Sequence, residues 1–156
     1  MTTISNSGTI RKLAFTILAV SLMSGCYQRL GLYEVGGSST AQTPGPVPEM
    51  GVTGEFTTGT ATVRVNDGEV CKGQWRQVQT SADNPMASVW DEIYGQGYYV
   101  AHVLGETLYA EAVLKGNRGT TLTVEMYRPT SGDADRITPI RGIAKDNHGN
   151  IFKVAS

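Results

Sequence analysis

The chain has 156 residues, with 13 basic and 14 acidic side chains, two cysteines and two histidines. That length allows one domain with a tail, and the balanced charge lacks the basic surplus of a nucleic-acid binder. Two cysteines build neither a disulfide scaffold nor a four-cysteine zinc site.

The first element in chain order is a leader. Arg11 and Lys12 precede an apolar run from Leu13 to Met23, closed by the small residues Ser24 and Gly25. A positive start, an apolar core of about 7 to 15 residues and small residues at its end describe a secretory signal peptide. The run has 11 residues; as a helix it would reach ~16 Å, half of a ~30 Å hydrocarbon layer, so it is too short to span. The residues that follow, Leu22-Met23-Ser24-Gly25-Cys26, resemble the lipobox of bacterial lipoproteins. The resemblance implies cleavage after Gly25, with Cys26 carrying a diacylglyceryl thioether and an amide-linked acyl chain of the palmitate class. One acyl chain holds a protein marginally, whereas two or more anchor it stably. Tyr27 stands where aspartate would mark inner-membrane retention, which implies the outer membrane, with the protein facing the periplasm.

Residues 26–50 read as the lipidated cysteine followed by a flexible linker. Gly36 to Pro48 is rich in Gly, Ser, Thr and Pro, and Pro44, Pro46 and Pro48 alternate, which favours coil and polyproline II over a packed core. A ligand for a proline-recognition module is the sharper alternative to a plain spacer. The domain division is thus a signal peptide over 1–25, the lipidated linker over 26–50 and a β domain over 51–156.

Within 51–156 the dominant period is two. Ala61, Val63 and Val65 alternate with Thr60, Thr62 and Arg64 before Asn66-Asp67-Gly68 turns the chain towards Val70 and Trp75. Ala110, Ala112 and Leu114 share a face, Gly116 to Gly119 turns, and Leu122, Val124 and Met126 resume on one face. A third pair runs from Arg141 through Asp146 to Asn150 into Ile151 and Val154. Alternation broken by Asn/Asp-Gly turns is the signature of antiparallel hairpins. Residues 97–104 read as a further strand and 84–93 as the one short helix, with Asp83 or Asn84 as its cap and Pro85 at its first position. The fold class is mainly β, a small antiparallel sandwich or barrel built of hairpins.

Candidate chemistry is sparse. Lipidation of Cys26 leaves Cys71 as the remaining thiol, a small buried hydrophobe or else a reactive thiolate needing a nearby cation. His102 lies in an apolar run and His148 on a turn tip, and no acidic ligand motif joins them into a zinc signature. The serines of the β domain, Ser81, Ser88, Ser131 and Ser156, lack the Gly-x-Ser-x-Gly setting of a nucleophile elbow. Asp91-Glu92 and Asp133/Asp135 read as solvated charge rather than as an acid–base pair. No catalytic residue, metal ligand or cofactor motif is assigned. Trp75, Trp90, Tyr98 and Tyr99 remain as a possible binding face, since Trp and Tyr are enriched at interfaces, against ordinary core aromatics.

Two functions follow as expectations. One is a lipid-anchored cell-envelope protein whose β domain is a binding or structural module for an envelope protein or cell-wall partner, with the membrane as its other partner through Cys26 and no nucleic acid. The other is an envelope hydrolase whose site is assembled by folding from His and Asp residues.

Overall fold

The computed structural model describes residues 26–36, 46–55, 57–65, 67–130 and 138–156. Eight antiparallel strands form a closed barrel in which each strand pairs with its sequence neighbour and the last pairs with the first. They are β1 (Cys26–Gly36), β2 (Glu49–Glu55), β3 (Thr58–Arg64), β4 (Val70–Gln77), β5 (Tyr109–Gly116), β6 (Thr121–Tyr127), β7 (Arg141–Asp146) and β8 (Ile151–Ala155). The mainly β, hairpin-built fold read from the sequence is what the chain adopts, as a barrel rather than a sandwich. The three hairpins fall where the alternation and turn residues put them, as β3–β4, β5–β6 and β7–β8.

Period two gives the wall an apolar lumen and an exterior that is charged or polar at many positions of β1 to β4. Leu30, Leu32, Met50, Val63, Leu114 and Leu122 fill the interior together with Cys71, Val124 and Val154. The intervening positions of β1 to β4 are exposed or half-buried, with Arg29, Arg64, Lys72 and Arg76 among the exposed ones. This is the inverse of a lipid-spanning barrel, which turns an apolar band outwards. Among the described residues no helix is long and apolar enough to cross a membrane.

Residues 26–36 depart from the sequence reading, which made them the start of a linker. They form β1, paired to β2 from Cys26↔Gly54 to Gly31↔Glu49 and to β8 through Leu32↔Val154. The reason lies in Leu30 and Leu32, two inward positions at period two that supply core volume. The low-complexity composition on their C-terminal side masked them. The β domain therefore includes residues 26–36 and 49–50 in addition to those from 51 on. The Gly/Ser/Pro-rich stretch is bracketed by two strands bonded to each other, so it joins neighbours in the ring instead of tethering the domain; its residues 37–45 lie outside those described.

Between β4 and β5 the chain leaves the wall and returns at the same barrel end. This excursion holds helix α1 (Ala87–Tyr94) and a π-helical turn, Tyr99–Val103. The expected helix is present, starting three residues later than read. Asn84 opens the turn before it, its side-chain carbonyl accepting the Met86 N–H at 2.7 Å. The expected strand over 97–104 is absent. Its aromatic and β-branched content suits a strand, but Tyr99 and Val103, four apart, are buried while Val100, Ala101 and His102 between them are exposed. That is a helical period, and Gly97 and Gly105 bracket the segment at φ +79° and +93°.

The excursion lies against the outside of the barrel. Met86, Val89, Trp90, Tyr99 and Val103 form a second core with outward residues of the wall, notably Tyr109, Tyr127, Ile143 and Ile151. At the opposite barrel end the tight turns are stitched together. Buried Glu69 accepts the Arg118 N–H at 2.6 Å and the Thr120 hydroxyl at 2.6 Å, and Asn147 exchanges backbone and side-chain bonds with Thr121 at 3.0 and 2.9 Å.

Candidate functional site

The barrel end where Cys26 opens β1 also receives the last residues of β2, β4, β6 and β8, so it forms a rim with Gly54, Trp75, Met126 and Arg128 close to one another. Inside this rim is a cavity of about 270 Å³ whose lining includes Val52, Trp75, Ala110, Met126 and Ile140, with Gln28 and Arg128 at its polar edge. The residues explain the space. The deep lumen is filled by Leu30, Leu32, Met50, Leu114 and Leu122, whereas the inward slots nearest this mouth hold Gly54 and Ala110. Trp75 is held in place by its indole N–H, which donates to the Thr53 carbonyl at 2.9 Å. Arg128 donates to the Gln28 side-chain carbonyl at 3.3 Å and makes no ion pair among the described residues.

A second, open depression of about 420 Å³ runs over the outer face of β1 to β4, lined by Tyr27, Arg29, Glu49, Thr60, Thr62 and Arg64 among others. Tyr27 is 60% exposed, its ring lying over Gly51, where a Cβ would meet the Tyr27 hydroxyl at 2.9 Å. The Arg29 guanidinium sits 5.7 Å from that ring and 3.6 Å from Glu49.

The aromatic residues singled out from the sequence do not form one face. Trp90 and Tyr99 are fully buried beneath the excursion. Trp90 stacks on Tyr94 at 5.6 Å and on Tyr98 at 6.2 Å and meets Tyr127 edge-on at 5.6 Å. Tyr98, half-buried, shares a 2.8 Å hydrogen bond with the Tyr127 hydroxyl and receives one from Arg141 at 2.9 Å. The Tyr94 hydroxyl donates to the Gly142 carbonyl at 3.1 Å, and burial pushes its pKa up to about 12. Trp75 lies apart from Trp90, Tyr98 and Tyr99, at the mouth, where Tyr127 also lines the cavity. Tyr98 and Tyr99 turn to different environments, as adjacent residues should, but within a helical turn rather than a strand.

Beneath Trp90 stands a residue the sequence did not mark. Glu125 occupies an outward position of β6 and is only 3% exposed. Its carboxylate accepts the Trp90 indole N–H at 2.6 Å and the Asn84 amide at 3.0 Å, with the Tyr109 hydroxyl beside it. Loss of hydration raises its pKa against the opposing pull of those hydrogen bonds. It is enclosed on every side by the residues it fixes, so its work is to pin the excursion to the wall.

The remaining candidates are scattered. Cys71 is fully buried in the lumen and burial raises its thiol pKa, while Lys72 turns to the exterior. His102 is exposed and tilted against Tyr98 at 4.6 Å. His148 is exposed on the β7–β8 turn, where Asp146 accepts its backbone N–H at 2.8 Å. Asp91 accepts the Tyr99 N–H at 3.0 Å, a structural role. Asp133, Asp135 and Ser131 lie outside the described residues. Among the described residues no three His, Cys, Asp or Glu side chains converge on a metal position.

No family model, curated protein or solved structure matches the chain.

Proposed function

We propose that the protein is a bacterial envelope lipoprotein, anchored through acyl chains on Cys26, whose barrel is a binding module rather than an enzyme. The observation that carries this reading is the place of Cys26 in the wall. The lipobox-like run would release a mature chain starting at Cys26, and Cys26 is itself a strand residue of β1, paired with Gly54 of β2, so a mature chain beginning there keeps all eight strands of the ring.

The absence of a tether has a geometric consequence. With lipid on Cys26, the mouth rim is held at the bilayer surface and the stitched turns face away from it. The bare outer wall of β1 to β4, with its Tyr27–Arg29–Glu49 depression, stands free to meet an envelope partner. The charged exterior keeps the wall itself out of the hydrocarbon. An envelope hydrolase would call for a histidine set against a carboxylate in a cleft; His102 rests on a tyrosine ring, and His148, whose Nδ1 lies 3.9 Å from the Asp146 carboxylate, is on an exposed turn tip and not in a cleft.

Mass spectrometry of the membrane-extracted protein tests the proposal: the amino-terminal residue is Cys26 with a thioether diacylglycerol and an amide-linked acyl chain. Cys26→Ala leaves the protein unacylated and abolishes membrane attachment of the mature form. A bare residue 26, with the leader retained or clipped elsewhere, overturns the reading.

A further inference from the structure

We propose that the barrel mouth binds one acyl chain of a free fatty acid, with the chain between Trp75, Ala110 and Met126 and the carboxylate on Arg128. The inference rests on the cavity itself and takes from the anchor reading only the neighbouring bilayer as a source of ligand.

Three observations converge on that chemistry. The cavity of about 270 Å³ sits just under the range of small-molecule sites, roughly 300–1,000 Å³, which are mostly apolar with a few placed polar groups. Its walls are apolar side chains with small residues, Gly54 and Ala110, at the mouth, while Leu30, Leu32, Leu114 and Leu122 fill the deeper lumen; burying an alkyl chain in such a site is favourable. The polar edge is not generic. Arg128 spends one N–H on Gln28, has no carboxylate partner among the described residues and keeps further donors for an anion, which a guanidinium binds as a fork.

The occupant is a free amphiphile rather than the protein's own anchor. The register places Cys26 opposite Gly54, a residue of the cavity wall, so a chain on Cys26 starts close enough to compete. The acyl chains of a lipoprotein cysteine are uncharged amides and esters, however, and leave the Arg128 guanidinium unanswered. A carboxylate answers it.

The experiment uses residues 26–156 with Cys26→Ser, which retains all eight strands of the ring, and a brominated dodecanoate as both ligand and quencher. The chain has two tryptophans: Trp75 lines the cavity and Trp90 is sealed under the excursion. The expected result is saturable quenching that disappears in Trp75→Phe. Ala110→Phe fills the cavity and removes binding, with Ala110→Val as the milder variant should the first not fold. Arg128→Gln, at the half-buried edge, weakens dodecanoate by about tenfold, the worth of one charge-assisted hydrogen bond, and leaves dodecanol unchanged.

Absence of quenching in a folded protein overturns the site, and an Arg128→Gln variant that loses dodecanol and dodecanoate equally overturns the headgroup assignment. Repeating the titration on the acylated protein in detergent separates the sources. Loss of binding there means that the Cys26 lipid occupies the mouth, and the free-ligand assignment falls. Because the main titration uses unacylated protein, its failure is distinct from a failure of the anchor reading.

Discussion

On its outside, the wall from β5 to β8 is partly buried beneath α1 and the π-helical turn, whereas the wall from β1 to β4 meets solvent directly. The same outward slots carry Tyr127, Ile143 and Ile151 on the covered side and Arg29, Thr62, Arg64 and Lys72 on the bare side. The lumen is apolar behind both. The contrast teaches that the barrel needs one apolar face per strand to close, and that outward apolar residues become buried where a further layer sits, whereas Tyr27, Tyr33 and Val35 on the bare outer face of β1 stay exposed. It also separates roles: the covered side is committed to holding its layer, and the bare side and the mouth retain surface for other molecules.

Four measurements break or sharpen that contrast. The largest effect belongs to Trp90→Ala, which empties a fully buried indole site under the excursion and strands the Glu125 carboxylate; an unfolding midpoint in urea should report a loss of about 3–5 kcal/mol. Next is Gly59→Ala in β3, whose new Cβ would press on the Thr53 carbonyl and come within 2.5 Å of the Trp75 indole nitrogen at the mouth. Overpacking of this kind costs about 1–3 kcal/mol, and the Trp75 emission should shift with it. Tyr98→Phe removes the hydroxyl shared with Tyr127 and Arg141, and should cost about 0.5–1.5 kcal/mol in the same urea assay. Arg64→Ala, on the bare wall, should stay within about 0.5 kcal/mol of the parent. A loss as large as that of Trp90→Ala would show that something covers that wall after all.

The two buried glutamates extend the comparison to pH. The folded pKa of Glu125, on the covered side, is raised by desolvation. Its contribution is therefore fully present below the unfolded value of about 4.3 and is lost as pH rises through the folded one. Glu69, beside the β3–β4 turn, is lowered chiefly by the Thr120 hydroxyl, then by the Arg118 and Thr120 N–H groups. Its contribution is present above about 4.3 and is lost as pH falls through the folded value. Urea unfolding at pH 3 and pH 7 should show Glu125→Gln gaining on the parent as pH rises, and Glu69→Gln losing ground over the same interval. Matching slopes for the two variants would refute the opposed environments.

What was legible in the sequence follows from this layering. The hairpins could be read because Ala110, Ala112 and Leu114, then Leu122, Val124 and Met126, repeat an inward period set by local geometry. β1 could not, since Leu30 and Leu32 are a short signal beside a Gly/Ser/Pro-rich tract, and their partners, Met50 and Val154, are distant in the chain. The helical turn at Tyr99 was misread because residue preference spoke louder than the four-residue spacing of Tyr99 and Val103. Glu125 was invisible for a different reason. A glutamate in an outward slot is ordinarily solvated, and only the arrival of Trp90, 35 positions away, buries it. The mouth cavity has the faintest trace, a pair of small residues, Gly54 and Ala110, at the mouth end of strands whose deepest inward slots hold Met50 and Leu114. Whether the aromatic residues pack or protrude is decided by the excursion's path.

The pairing of β8 with β1 carries one more implication. The wall has no free margin once Ile151–Ala155 has zipped onto the first strand, and until then it has two. A premature stop, a fusion joint or a proteolytic nick near residue 150 would turn a self-limiting ring into a strip with raw backbone along both sides, ready to recruit copies of itself. Tags and truncations at the carboxyl end should accordingly be judged by whether they spare that last short strand.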